Sequence, residues 1–241
     1  IVGFSDHRST AAVWYRLLNL GFHLPAAGGT DAMANYASLR GPVGMNRVYA
    51  RMPEGADQRD ERVTLAQWLD ALRQGRTFAT NGPLLGFNLG AAQIGDTLSF
   101  ETAAKRVHYS VRLRSIVPVD HLELVCNGRV MKSFVGQVPQ AQGEFQGTID
   151  LNASGWCLVR AATDAAHHPV LDNYVYATTS PVYVSVGAQR ARSPEDARYF
   201  AAWIDRVIET TAKYPDWNSD AEKQGVLDRL RQARARYAGL E

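Results

Sequence analysis

The feature that most constrains this chain is a change of hydrophobic period at about Leu85. In KRVHYSVRLR the apolar residues Val107, Tyr109, Val111 and Leu113 occupy every second position, with His108, Ser110, Arg112 and Arg114 between them. That alternation suits a half-buried β-strand and no helix. HLELVCNGRVM continues it through Leu122, Leu124 and Cys126. Asn127-Gly128 then supplies a two-residue hairpin turn, because both residues tolerate positive φ. Further strands are expected at Gly143 to Leu151, Gly155 to Ala162 and Pro181 to Gly187. With turn signals between them, residues 85–188 read as a small antiparallel sandwich of the immunoglobulin-like type.

Either side of this block the period is helical. Upstream, Val13, Trp14, Leu17 and Leu18 predict a helix over 9–21, capped by Ser9 or Thr10 and closed by Gly21. Leu24 to Ala27 form a short strand. Thr64 and Gln67 form a capping box ahead of Leu65, Trp68, Leu69 and Leu72, with Gly75 as the stop and TFATNGP (Thr77 to Pro83) as a following strand and turn. Downstream, Ser193-Pro194-Glu195-Asp196 starts a helix with an apolar stripe at Phe200, Trp203, Ile204, Val207 and Ile208. Tyr214-Pro215 breaks it. Ser219 and Glu222 start a second helix carrying Val226, Leu227, Leu230 and Tyr237, so residues 189–241 are expected to be a helical hairpin.

Between the first helix and the strand that follows lies GGTDA. Gly28 and Gly29 are read as the positive-φ residues of a turn that presents the Asp31 carboxylate as a metal ligand or hydrogen-bond acceptor. The alternative is that Asp31 caps the next segment. Arg40-Gly41-Pro42-Val43-Gly44 and Asn46-Arg47 make a rigid cationic loop in which Arg40 and Arg47 either grip an anionic substrate group or fix the loop through carbonyl or carboxylate contacts.

WYRLLN, the Gly-Thr-Asp-Ala run and RGPVG-x-NRVY occur here in that order, and residues 1–84 thereby resemble the last part of the polymerase and histidinol phosphatase (PHP) domain, in particular its carbaryl-hydrolase branch. TSPVYV, Thr179 to Val184, is a weaker echo. The resemblance implies an α+β chain: the closing units of a TIM-like α/β barrel over residues 1–84, then the sandwich, then the helical hairpin. It also implies hydrolysis of an ester, amide, carbamate or phosphate bond by divalent zinc, manganese or iron. The superfamily motif Gly-Ser-Asp-x-His is matched at Asp31, but Met33 stands where the His would be, and a thioether is a poor ligand for such ions. No His-x-His pair occurs in the 241 residues. A barrel of this kind needs roughly 250 residues. The chain is therefore expected to be the C-terminal part of a longer hydrolase, partnered by the missing N-terminal part of the same polypeptide, binding no metal and being inactive by itself. Asp6-His7 follows Ile1 to Phe4, which reads as a barrel strand. Catalytic groups gather at the C-terminal ends of such strands, which makes His7 a second candidate ligand. The competing reading is that Asp6 or Ser9 caps the first helix.

Other classes are excluded or weighed from composition. A net charge of +2 and scattered basic residues argue against nucleic acid. Arg229, Arg231, Arg234 and Arg236 read as a solvated helix face. No run of apolar residues is long enough to span a membrane, so a soluble protein of cytoplasm or periplasm is expected. Two cysteines, Cys126 and Cys157, are compatible with a disulfide or with buried free thiols. His167-His168-Pro169 reads as a sandwich loop, since adjacent histidines on an extended chain point to opposite faces. His23, between Phe22 and Leu24, reads as a packed or surface residue. The alternative to a hydrolase is a binding or assembly module in which the sandwich and tail recognise carbohydrate or a second protomer.

Overall fold

The computed structural model describes residues 1–3, 5–33, 41–52, 65–136, 139–187 and 189–241. Phe4, Arg40 and Thr64, with the strand end, loop contact and cap assigned to them, lie outside the described residues. In chain order the elements are α1 (His7–Asn19), β1 (Arg47–Ala50), α2 (Leu65–Arg73), β2 (Thr77–Thr80), β3 (Leu84–Leu89), β4 (Ala92–Gln93), β5 (Thr97–Phe100) and β6 (Ala104–Val119). They continue with β7 (His121–Cys126), β8 (Arg129–Ser133), β9 (Gln140–Leu151), β10 (Gly155–Ala162), β11 (Tyr176–Thr179), β12 (Val182–Val186), α3 (Pro194–Lys213) and α4 (Asp220–Ala238).

The alternating segment folds as its period requires. In β6, Val107, Tyr109, Val111 and Leu113 are buried while His108, Arg112 and Arg114 face out. β6 is the long strand of a four-stranded sheet ordered β4-β3-β6-β9. Asn127 (φ 49) and Gly128 (φ 78) both take the left-handed conformation between β7 and β8, as a tight hairpin demands.

The second sheet has eight strands along the path β1-β2-β11-β10-β12-β5, with β7 and β8 attached to β10. β10 is buried on both faces, and this explains why GWCLVRAA reads as an apolar run rather than an alternation. Its Cys157, Val159 and Ala161 join Leu122 and Leu124 of β7 in the core shared with β3 and β6. Its Trp156 and Leu158 face the other way, onto Trp14, Tyr15 and Leu18 of α1. The architecture is thus mixed α+β: a helix over one face of the large sheet, the small sheet over the other, and a C-terminal helical pair.

No barrel closes among the described residues. The first segment instead contributes β1 and β2, which pair antiparallel, and β2 continues into the large sheet through β11. In place of the strands expected at the start of the chain and at Leu24 to Ala27, the described residues show a single parallel bridge between Val2 and Gly28. The reason that Gly28 is glycine differs from the expected one. Neither Gly28 nor Gly29 has positive φ, and the left-handed residue of the turn is Asp31 itself, at φ 58. At Gly28 the constraint is proximity: a Cβ would lie 2.8 Å from the Val2 carbonyl oxygen and 3.0 Å from that of Arg47.

The helix ends follow local chemistry. α1 starts two residues earlier than the expected boundary because Asp6, not Ser9 or Thr10, is its cap and accepts the Ser9 amide at 2.8 Å. Ser193 and Ser219 cap α3 and α4 as expected. The α3 stripe divides: Phe200 is buried beside Leu20 and Ala197, whereas Trp203 and Val207 remain 41% and 37% exposed. Of the basic residues on α4, Arg234 makes a two-point contact with Asp205 of α3 at 2.9 and 3.2 Å, and Arg231 pairs with Asp228.

Cys126 and Cys157 form a disulfide, which decides between the two states left open by sequence. They are direct cross-strand partners of β7 and β10. The bridge therefore lies within one sheet, unlike the inter-sheet bridge of antibody domains.

Candidate functional site

Three stretches of chain that are far apart in sequence enclose a cavity of about 750 Å³. The start of α1 supplies Asp6 and His7, the loop before β1 supplies Met45 and Asn46, and the loop between β10 and β11 supplies His168, Asp172 and Tyr174. The volume suits a small molecule.

His7 is the first residue of α1 and is 2% exposed. Its Nε2 lies 2.9 Å from Asp172 Oδ2. A carboxylate only accepts, so Nε2 carries the proton and donates, which leaves the Nδ1 lone pair bare in the neutral ring. Nδ1 is buried and has no hydrogen-bond partner. Tyr174 meets the ring edge-on at 5.4 Å and Tyr176 lies 5.6 Å away, so the imidazole cannot tilt freely. Asp172 is held in turn: Asn81, in the turn after β2, donates from Nδ2 to Asp172 Oδ2 at 3.0 Å and to the Tyr174 carbonyl at 2.9 Å, while its Oδ1 accepts the Tyr176 amide at 2.7 Å.

Asn46, 3% exposed, is fixed by its backbone. The Thr30 hydroxyl donates to the Asn46 carbonyl at 3.0 Å and accepts the Asn46 amide at 2.9 Å. This pair of bonds ties the GGTD turn to the cavity wall. Asn46 Oδ1 is a second buried polar atom without a partner. A buried group of this kind forgoes about 1–3 kcal/mol unless something bonds it. Both residues line the same cavity.

Asp6 lies at the mouth. Its carboxyl is held down at about 2 by the Ser9 side chain, the Tyr174 hydroxyl and the Ser9 amide. The Tyr174 hydroxyl donates to Asp6 Oδ1 at 2.6 Å and accepts the Arg8 amide at 3.1 Å. Desolvation, followed by the hydrogen bond to Asp6, raises the Tyr174 phenol above its usual range. Asp6 is thus committed to capping and to Tyr174, in agreement with the capping alternative, while His7 beside it keeps a buried Nδ1 without a partner among the described residues.

Asp31 is exposed and follows Thr30 in the turn anchored to Asn46, as does Met33 two residues on. Arg47 turns back on its own loop: Nη1 donates to the carbonyls of Gly44 at 2.8 Å and Met45 at 3.3 Å, and Nε donates to the Tyr49 hydroxyl at 3.2 Å. That is the loop-fixing role. His168 reaches the cavity, and His23 stacks on Tyr183 at 3.7 Å, away from it. Asp172 and Asn81 carried no sequence signal, since the contact with His7 spans 165 residues.

Among the described residues no group of three His, Cys, Asp or Glu side chains is placed to hold a metal ion. A zinc-type site needs three protein ligands, so these residues do not make one by themselves. No helix among the described residues is long and apolar enough to cross a membrane. No protein-family model, curated protein or solved structure matches the chain.

Proposed function

We propose that this chain is the C-terminal part of a hydrolase acting on ester, amide, carbamate or phosphate bonds, and that it contributes His7, oriented by Asp172, to the catalytic cavity. The observation that carries the reading is the buried His7–Asp172 pair with its unpartnered Nδ1 in a cavity wall. A carboxylate bonded to one ring nitrogen fixes the tautomer and raises the basicity of the other. Nδ1 would take a proton from an attacking water and return it to the leaving group, with Asp172 stabilising the imidazolium formed between the two steps. Asn46 Oδ1 would accept from the water or from a substrate N–H.

The metal ions that the PHP resemblance implies would come with ligands from elsewhere in the longer polypeptide. The described residues offer no group of three donors for such an ion. In the same reading the Val2 to Gly28 parallel bridge followed by α1 is the remnant of the barrel's closing units, and the two facing sheets are the immunoglobulin-like sandwich. The disulfide between Cys126 and Cys157 favours an oxidising compartment such as the periplasm.

The test is the hydrolysis of 4-nitrophenyl acetate and 4-nitrophenyl phosphate by the full-length protein and its His7→Ala and Asp172→Asn variants. A general base of this kind is worth about 10²- to 10⁴-fold, and both variants should lose kcat on that scale while retaining fold. Unchanged kcat in His7→Ala would refute the role.

A second reading, self-association through the tail, is favoured by the exposed Trp203 and Val207 on α3. Light scattering should then show a dimer that Trp203→Ser converts to a monomer. A monomer at high concentration removes this reading.

A further inference from the structure

A second concavity, of about 410 Å³, lies between the paired strands β1 and β2 and strands β3 and β6 of the small sheet. Its chemistry follows from strand periodicity. Tyr49 and Phe78 are direct cross-strand partners, and their rings stack at 5.0 Å with planes 10° apart. Arg51 lies two residues after Tyr49 and Arg76 two residues before Phe78, so both arginines share the face of the aromatic pair. The Arg51 amide donates to the Arg76 carbonyl at 2.8 Å, which extends the ladder by one step and sets the two arginines opposite each other at the edge of the groove that both line. The opposite wall comes from β3 and β6, where Asn88 Nδ2 donates to Ser110 Oγ at 3.1 Å and Arg112 stands beside them.

Among the described residues three arginines line this groove and no Asp or Glu does. The only carboxylate paired with any of them among the described residues is Glu144, 3.8 Å from Arg112, with both side chains about 70% exposed. Such a solvated pair is weak and leaves the groove positive. Cations that line one groove repel one another, and an anion bound among them offsets that repulsion. Guanidinium groups bind carboxylate through parallel hydrogen bonds, and stacked rings present an apolar surface to a third.

We propose that the groove binds a small aromatic anion, with its ring against Tyr49 and Phe78 and its carboxylate held by Arg51 and Arg76. This site is separate from the His7 cavity and does not depend on the hydrolase reading. It requires an anion and a flat ring together, so neither element alone suffices.

Calorimetric titration of the folded chain with 2-naphthoate tests this. One-to-one saturable binding is expected, weakened at least about tenfold by Arg51→Gln and by Arg76→Gln, and weakened as well by Tyr49→Ala. The neutral 2-naphthamide and the non-aromatic cyclohexanecarboxylate should each bind at least about tenfold more weakly. Circular dichroism confirms that the variants fold, and Arg190→Gln, outside the groove, should titrate as the parent does. Absence of saturable binding at millimolar 2-naphthoate, or equal affinity for 2-naphthamide, overturns the proposal. So does unchanged affinity in both arginine variants.

Discussion

His7 and Asp172, 165 residues apart, form a buried hydrogen bond of 2.9 Å that joins the first turn of α1 to the loop before β11. Asp172 accepts from Asn81 through the same oxygen, so one carboxylate satisfies donors from two other segments. Removing it strands the His7 Nε2–H and one of the two Asn81 Nδ2 hydrogens. Asp172→Ala should therefore destabilise the fold by about 1–3 kcal/mol, whereas His7→Phe, which removes the imidazole donor and its unpartnered Nδ1 together, should cost less. Urea denaturation of the two variants gives the comparison, and equal losses would show that the pair is not the coupling element.

The disulfide closes a loop between residues 31 apart in sequence, on the face of the large sheet that packs against the small one. Loop closure of that length is worth about 2–4 kcal/mol through the unfolded chain. Cys126→Ser with Cys157→Ser should lower stability by that amount, read from the shift in urea midpoint under non-reducing conditions. The parent protein extracted under acid quench should resist thiol alkylation until reduced.

Asp6 gives a pH-dependent contribution whose sign follows from its shift. Its folded-state pKa, about 2, lies below the ordinary 3.8, so the unfolded chain takes up the proton first. The contribution is complete above the unfolded value and is lost as pH falls from there through the folded one. Asp6→Ala should cost about 1 kcal/mol near neutral pH, the usual value of an N-cap, with the gap narrowing as the medium is acidified toward pH 3. Thermal melts of parent and variant across that range measure it, and a constant gap would contradict the capping role.

Gly28→Val tests the close approach at the parallel bridge. The new Cβ would meet two carbonyl oxygens, at 2.8 and 3.0 Å, both on backbone that has no rotamer to yield. A loss of about 1–3 kcal/mol is expected. Gly29→Ala, with nothing within 4 Å of its Cβ position, serves as the neutral comparison.

What the sequence determined by itself is whatever short-range chemistry decides. The alternation from Val107 to Leu113, the Asn127-Gly128 turn and the serine caps of α3 and α4 all appear where they were expected, because each depends on residues within one turn or one strand. Legibility failed where local options were nearly equal in energy. Asp6, Ser9 and Thr10 can each cap α1, and the choice fell to Asp6 because Tyr174, from the far end of the chain, bonds the same carboxylate. The short strands β4, β5 and β11 carry too few residues for a period to show and exist because a neighbour supplies their ladder. Only tertiary structure could pair Cys126 with Cys157, bring Arg51 beside Arg76 and set Asp172 against His7. Those contacts are fixed by how two sheets and a helix pack around a common core, and a side chain's partner across such a core leaves no mark on the residues next to it in sequence.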